Sequence, residues 1–350
     1  MREKRVPGSI SKNRRSILKG ALVAAAAPAL IGPALAQQKV SWKVQAHWPK
    51  ASGSFNDSLG ALAKELAVRT DGRFTLETFG AGEIAKDREI YNVVRRGVVQ
   101  MGTISPAYIL GEAQAMGLLY GVPGTLREPW EMMHFTKNLG VEKLVNEELK
   151  PKGVLIFAEK AYPTEVVLKR KISSAAELAS LKIRSAGSML EYFAAAGASP
   201  QQVAGPEIYQ AISTGVVDGA HWGAAVGALS MKFWEVAPFH MKPALGITND
   251  AWIINVAALD KLPPDLKLQL LSLIEERYFL RSVEYQHQEA MALATGRAKM
   301  NVEVVRFPDE VLAKFAEASK TILQKETAKG EIAAKGGTAL SKLMSDLGYV

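Results

Sequence analysis

Histidines, cysteines and glycine-rich loops are the first places to look for chemistry, and here they offer little. The histidines, at 47, 134, 221, 240 and 287, are the groups able to titrate near neutral pH or to bind a borderline metal, yet the nearest two stand 19 residues apart. That spacing contains no H-E-x-x-H. There is also no G-x-S-x-G elbow, no P-loop and no G-x-G-x-x-G after a strand, so the common hydrolase, nucleotide and dinucleotide signatures are missing. With no cysteine in the chain, disulfides, thiolate metal sites and cysteine nucleophiles are all excluded, while an oxidising compartment is tolerated. An enzyme would need a constellation assembled from distant residues. No cofactor is expected.

The elements that could position a site are easier to read. Glu89-Ile90-Tyr91 through Gly97-Val98-Val99-Gln100 recurs as Glu207-Ile208-Tyr209 through Gly215-Val216-Val217-Asp218, an offset of 118 residues. Each copy has apolar residues at helical spacing, a Gly suited to a helix C-cap, and a short β-branched run that should enter a strand. One such helix-to-strand unit per half predicts two similar lobes. Further strands are expected at Val40 to Ala46, Thr75 to Phe79, Val154 to Phe157 and Trp252 to Val256. A helix is expected from Ser54, a plausible N-cap, to Val68. This alternation predicts an α/β chain of mostly parallel sheets covered by helices, with ligands beyond the strand ends. Asp265 to Thr295 contains no Gly or Pro, and a helix of those 31 residues would be about 46 Å long. It could bridge both lobes. Another helix should start after Pro308 and run from Asp309 through Ala318.

At the start of the chain, Arg14-Arg15 precedes an apolar stretch from Ala21 to Leu35 that ends in Ala34-Leu35-Ala36. These are the features of a twin-arginine export signal, so residues 1–36 are expected to be removed and the mature chain to begin near Gln37. That segment carries seven basic residues and one acid; without it the formal charge falls from +8 to +2. Such a balance gives no footprint for nucleic acid, and no later stretch is apolar enough to embed the chain in a membrane. The mature chain, about 314 residues, exceeds one comfortable core, which again favours two lobes.

Lys182-Ile183-Arg184, the run from Phe193 to Ser199, Glu207 to Asp218 with the following Ala220-His221-Trp222, and the long helix after Leu262-Pro263-Pro264 resemble the substrate-binding subunits of tripartite ATP-independent periplasmic (TRAP) transporters, the DctP-like family. The resemblance spans essentially the whole mature chain and is most specific from Arg184 through Trp222. It is nearest to the branch that binds 2-oxo acids and lactate. It implies a bilobed periplasmic-binding-protein fold of type II character. The first lobe would comprise 37–160 with about 248–290, and the second 161–247 with about 300–350. The implied partners are a small organic acid and the inner-membrane TRAP permease subunits.

The resemblance also implies site residues. An arginine at the place of Arg184 pairs with the ligand carboxylate, a role suited to a planar fork that stays charged. Trp222, Tyr108 and, more weakly, Trp48 would furnish the cleft. In the 2-oxo acid branch a cation usually bridges ligand and protein through a glutamine, an acid and a carbonyl. Here His221 stands in the acid's place, Lys160 or a neighbour in the glutamine's, and Thr164 where a polar amide is common. Hard cations prefer oxygen ligands, so no metal is expected, and Lys160 or His221 would supply the charge or hydrogen bond instead. The implied function is periplasmic capture of a small carboxylate for transport. A sensor or scavenger of the same fold, or an exported enzyme, are the alternatives.

Overall fold

The computed structural model describes residues 39–350; the export signal expected at 1–36 lies outside the described residues. The described part forms one unit containing two sheets. In chain order the strands are β1 (Val40–Gln45), β2 (Phe74–Phe79), β3 (Met101–Ile104), β4 (Val154–Pro163), β5 (Val166–Leu168), β6 (Lys182–Ser185), β7 (Ser199–Gln202), β8 (Gly219–His221), β9 (Phe239–Lys242), β10 (Ile247–Asn255) and β11 (Glu303–Arg306). The first sheet has the order β2-β1-β3-β10-β4 and the second β11-β9-β5-β8-β6-β7. β1 runs parallel to β2 and β3, and β6 parallel to β7 and β8; β10 and β5 are the antiparallel insertions. Both sheets are therefore mixed.

The internal repeat resolves into matching structure. Each copy is a short 3-10 turn followed by a helix, Ile90–Arg95 and Ile208–Ser213, then a Gly in the left-handed region, Gly97 at φ +74° and Gly215 at φ +79°. Positive φ is what Gly supplies without steric cost. The next valine is exposed and the one after it buried in each copy, and the chain then enters β3 in the first sheet and β8 in the second.

β4 and β10 run further than their apolar stretches suggest. They pair antiparallel from Asn255↔Val154 to Ile247↔Pro163, with a register shift at Asp250. Glu159, Lys160, Asn249 and Asp250 interrupt the apolar pattern in sequence, yet all are buried and hold polar partners, so the ladder continues through them. Beyond Pro163 the chain crosses to β5, and from β9 it returns to β10 through 243–246. The two crossings are tied by Thr164 N–H to Gly246 O at 2.9 Å and Leu245 N–H to Thr164 O at 2.7 Å.

The third crossing is the helix Pro264–Lys299, longer at both ends than expected, which lies on β4 and on the helix Ala61–Arg69 and reaches the helix Ala225–Ser230 of the second lobe. Ser54, expected as an N-cap, makes no side-chain cap bond; a π-helical turn, Phe55–Gly60, precedes Ala61–Arg69 instead. The helix Asp309–Thr327 packs on Gly187–Ala195, where Tyr192 stacks on Phe315 with centroids 5.3 Å apart. The last helix, Glu331–Asp346, packs on Asp309–Thr327 and also touches Met116–Tyr120 and Val141–Leu149 on the side of the first sheet. Among the described residues no helix is long and apolar enough to cross a membrane.

Candidate functional site

Arg184 sits in β6 between β7 and β8, with Ile183 and Leu181 buried in the core beneath it. Its guanidinium is drawn inward and tethered to backbone: Nε donates to Val203 O at 2.9 Å and Nη1 to His221 O at 2.8 Å. The Trp222 ring lies under it, its centroid 5.1 Å from Cζ. That indole is seated where Gly205 has no side chain; a Cβ there would fall 2.3 Å from the ring. Arg184 is only 2% exposed, and among the described residues no carboxylate approaches it within 4.0 Å. A buried cation held by two carbonyls and an aromatic face, with no counter-charge, is costly, and its remaining N–H groups suit an incoming anion.

His221 is buried beside it, with Nδ1 3.2 Å from Ser185 Oγ. Burial, reinforced by the charge of Arg184, pushes the imidazole down to about 3, so it is neutral near pH 7. The first lobe supplies Tyr108, on the 3-10 turn Pro106–Tyr108, with its ring 6.2 Å from that of His47. Burial raises its phenol above the usual range, and Arg184 opposes that shift only in part. It therefore remains a protonated donor.

Where the lobes meet, the polar residues of β4 and β10 form a closed set. Lys160 Nζ donates to Glu159 Oε2 at 2.8 Å and Asp250 Oδ2 at 2.7 Å. Three rings surround it, Trp48, Tyr162 and Tyr285, at 4.5, 4.8 and 5.4 Å. Asp250 Oδ1 accepts from Tyr162 Oη at 3.1 Å and lies 3.6 Å from His47 Nε2. Burial alone would raise the Asp250 carboxyl; Lys160 and then His47 outweigh it and hold the group well below its usual range. His47 in turn is oriented by Thr103, with Nδ1 2.8 Å from Oγ1. Lys160 is thus neutralised within the protein, and Arg184 is not.

A cavity of ≈ 50 Å³ lies between these groups, bordered by Arg184, His221, Trp222, Tyr108, Trp48 and Lys160 together with His47, Asp250, Tyr162 and Tyr285. At about 10–15 Å³ for each water-sized centre it holds about four. Thr164 is not on its wall. It is fully buried in the crossing, with Oγ1 3.4 Å from Thr248 Oγ1 and its backbone bonded to 245 and 246. Among the described residues no group of three or more His, Asp or Glu side chains could hold a metal ion. The donor set does not fit a hard cation: the carboxylate facing the cavity already serves Lys160 and Tyr162, and an imidazole stands at 221.

His47, Asp250, Tyr162 and Tyr285 were not singled out in sequence. Asp250 had a signal, a charged residue immediately before the apolar run of a strand, which in a buried strand demands a partner. Tyr285 had only its place on the long helix, seven residues after the buried Tyr278 and so on nearly the same face.

Two mixed α/β sheets with a buried arginine in the cleft between them define a bilobed binding protein. The chain belongs to the bacterial extracellular solute-binding protein family 7, DctP, whose family model matches residues 46–329. It is 27% identical over 267 residues to the monocarboxylate 2-oxoacid-binding periplasmic protein of Nostoc sp., covering 72% of each chain. It is 29% identical over 280 residues to the C4-dicarboxylate-binding periplasmic protein DctP of Rhodobacter capsulatus, covering 76% of this chain and 79% of that one. A TRAP periplasmic solute-binding protein of Pseudoalteromonas atlantica, with bound sodium and pyruvate, superposes with a TM-score of 0.81 at 23% identity, covering 89% of this chain and 95% of the other. The protein is accordingly a bacterial extracellular solute-binding protein of this family.

Proposed function

We propose that the protein captures a small monocarboxylate, a 2-oxo or 2-hydroxy acid or a related acid, in the periplasm and delivers it to inner-membrane TRAP permease subunits. The observation that carries this reading is Arg184, buried to 2% exposure without a carboxylate partner while the neighbouring Lys160 has two. One uncompensated cation matches one carboxylate. Asp250 would repel a second. A 2-oxoacid-binding relative and a pyruvate-bound structural neighbour agree with this class of ligand. Tyr108, Trp222 and the neutral His221 would orient the acid. Lys160 would face its α-oxygen from within its ring of aromatics, in the place a bridging cation holds in the 2-oxo acid branch. The lobes divide near 160 and near 247 and close about the crossings at 163–166 and 242–247. Export follows the twin-arginine route, through Arg14 and Arg15.

The test is calorimetry of the mature protein with a panel of organic acids. Arg184→Lys should lose at least about 2 kcal/mol of affinity for the acid that binds native protein, because a point-charge ammonium cannot reproduce the two-pronged geometry. The circular dichroism spectrum should stay native. Unchanged affinity would remove Arg184 from the site.

A further inference from the structure

The Arg184 side chain borders two spaces. Besides the inner cavity it lines an outer chamber of ≈ 270 Å³ that shares Tyr108 and Ala186 with the inner one and is completed by Gln202, Val203 and Ala204 and by the turn at 86–89. The inner space holds about four water-sized groups and the outer on the order of twenty, at about 10–15 Å³ each. The two spaces meet at Arg184, Tyr108 and Ala186, so a group paired with the guanidinium has both beside it. Between Arg184 and its charged rim the outer chamber is lined by Ala186, Val203, Ala204 and Tyr108, with Gln202 the one amide. Its rim carries Lys86 and Arg88 against Asp87 and Glu89, two charges of each sign, so no uncompensated cation awaits a second anionic group there.

From this shared wall we infer that the physiological ligand is longer than a three-carbon acid: its carboxylate pairs with Arg184, its α-oxygen points into the inner cavity, and an uncharged apolar tail lies in the outer chamber against Val203 and Ala204. The inference rests on the proposed carboxylate role of Arg184 and adds the length and polarity of the tail. Each methylene removed from water contributes on the order of fourfold in affinity. A tail of a few carbons then separates long from short acids by more than tenfold.

The experiment titrates the mature protein with three probes, 2-oxopropanoate, 2-oxohexanoate and 2-oxohexanedioate, and repeats the titrations on Ala204→Phe. Ala204 lines only the outer chamber, and its backbone, at φ −63° and ψ 149°, accepts any side chain. The expected result is at least tenfold tighter binding of 2-oxohexanoate than of 2-oxopropanoate, with 2-oxohexanedioate at least tenfold weaker than 2-oxohexanoate. In Ala204→Phe the advantage of the longer acid should vanish while 2-oxopropanoate stays within twofold of native. Equal or tighter binding of 2-oxopropanoate by native protein overturns the inference and leaves the carboxylate reading standing, and that comparison holds even if the variant does not fold. Equal weakening of both oxo acids by Ala204→Phe overturns it as well. Binding of none of the three probes overturns the inference, and the panel of organic acids then tests the carboxylate reading by itself.

Discussion

At the scale of single residues, charge balance decides what each group in the cleft does. His221 and Lys160 looked like interchangeable cations in sequence, but burial and Arg184 keep the imidazole neutral, and Lys160 is bound to Asp250 and Glu159. Ligand affinity should therefore be flat from pH 6 to 8, which calorimetry at several pH values would check. Stability should not be flat. The His221 pKa is lowered to about 3 in the folded state against about 6.5 unfolded, so as pH falls below about 6.5 the unfolded chain takes the proton first. Stability tied to His221 is present above that pH and is lost on acidification, at up to about 1.4 kcal/mol per pH unit. Glu289, pushed up to about 7 by burial and by Glu165, acts in the opposite sense, gaining stability as pH falls from about 7. The informative quantity is therefore the difference between native protein and His221→Gln, whose melting temperature should drop less between pH 7 and pH 5. Parallel curves would mean the imidazole is already solvated. Because Lys160 fills the space among Trp48, Tyr162 and Tyr285, adding EDTA or exchanging sodium for potassium should change affinity less than threefold; a tenfold loss would show a bridging metal.

At the scale of elements, contacts between the lobes set the closed geometry. Gly187, the first residue of Gly187–Ala195, has φ +58°, and a Cβ placed there would lie 2.5 Å from Ala107 Cβ and 2.9 Å from its carbonyl oxygen. Ala107 belongs to the same turn as Tyr108, so this close approach brings the first-lobe phenol to the second-lobe guanidinium. Gly187→Val should weaken ligand binding at least tenfold, about 1.4 kcal/mol, while each lobe keeps its secondary structure; native affinity in that variant would show the contact to be dispensable. The same scale shows what sequence could reveal. The repeat was legible because period, Gly and β-branched residues all agreed, and both copies fold alike. The full reach of β4 and β10 was not, because their polar residues read as breaks until each is seen to pair with the other strand. Arg184, Trp222, Tyr108 and His221, expected through resemblance, line one cavity; Asp250 and His47 line it too, but their pairing runs across strands far apart in sequence and left no signal beside the others. Thr164 shows the converse, a polar residue beside the site in sequence whose hydroxyl turns into the crossing.

At the scale of the whole molecule, the unpaired guanidinium links ligand binding to the arrangement of the lobes. In the closed form Arg184 is shielded by the first lobe yet has no counter-charge from the described residues, and leaving a buried cation uncompensated costs about 3–5 kcal/mol. Opening the cleft returns the guanidinium to water and removes most of that cost. The protein without an anion should therefore favour an open arrangement, and the acid should close it by supplying the missing charge, since a ligand shifts such an equilibrium only by its preference for one state. Small-angle scattering of the mature protein should show a smaller radius of gyration when acid is added. Arg184→Met separates the charge from the bulk. It keeps a long apolar side chain above Trp222 but removes the charge that penalises closure, so it should bind no acid and yet be compact already, with a radius matching native protein saturated with ligand. If Arg184→Met instead has the radius of ligand-free native protein, the cost of burying the cation is not what holds the cleft open, and closure must be driven by contacts that only the ligand makes.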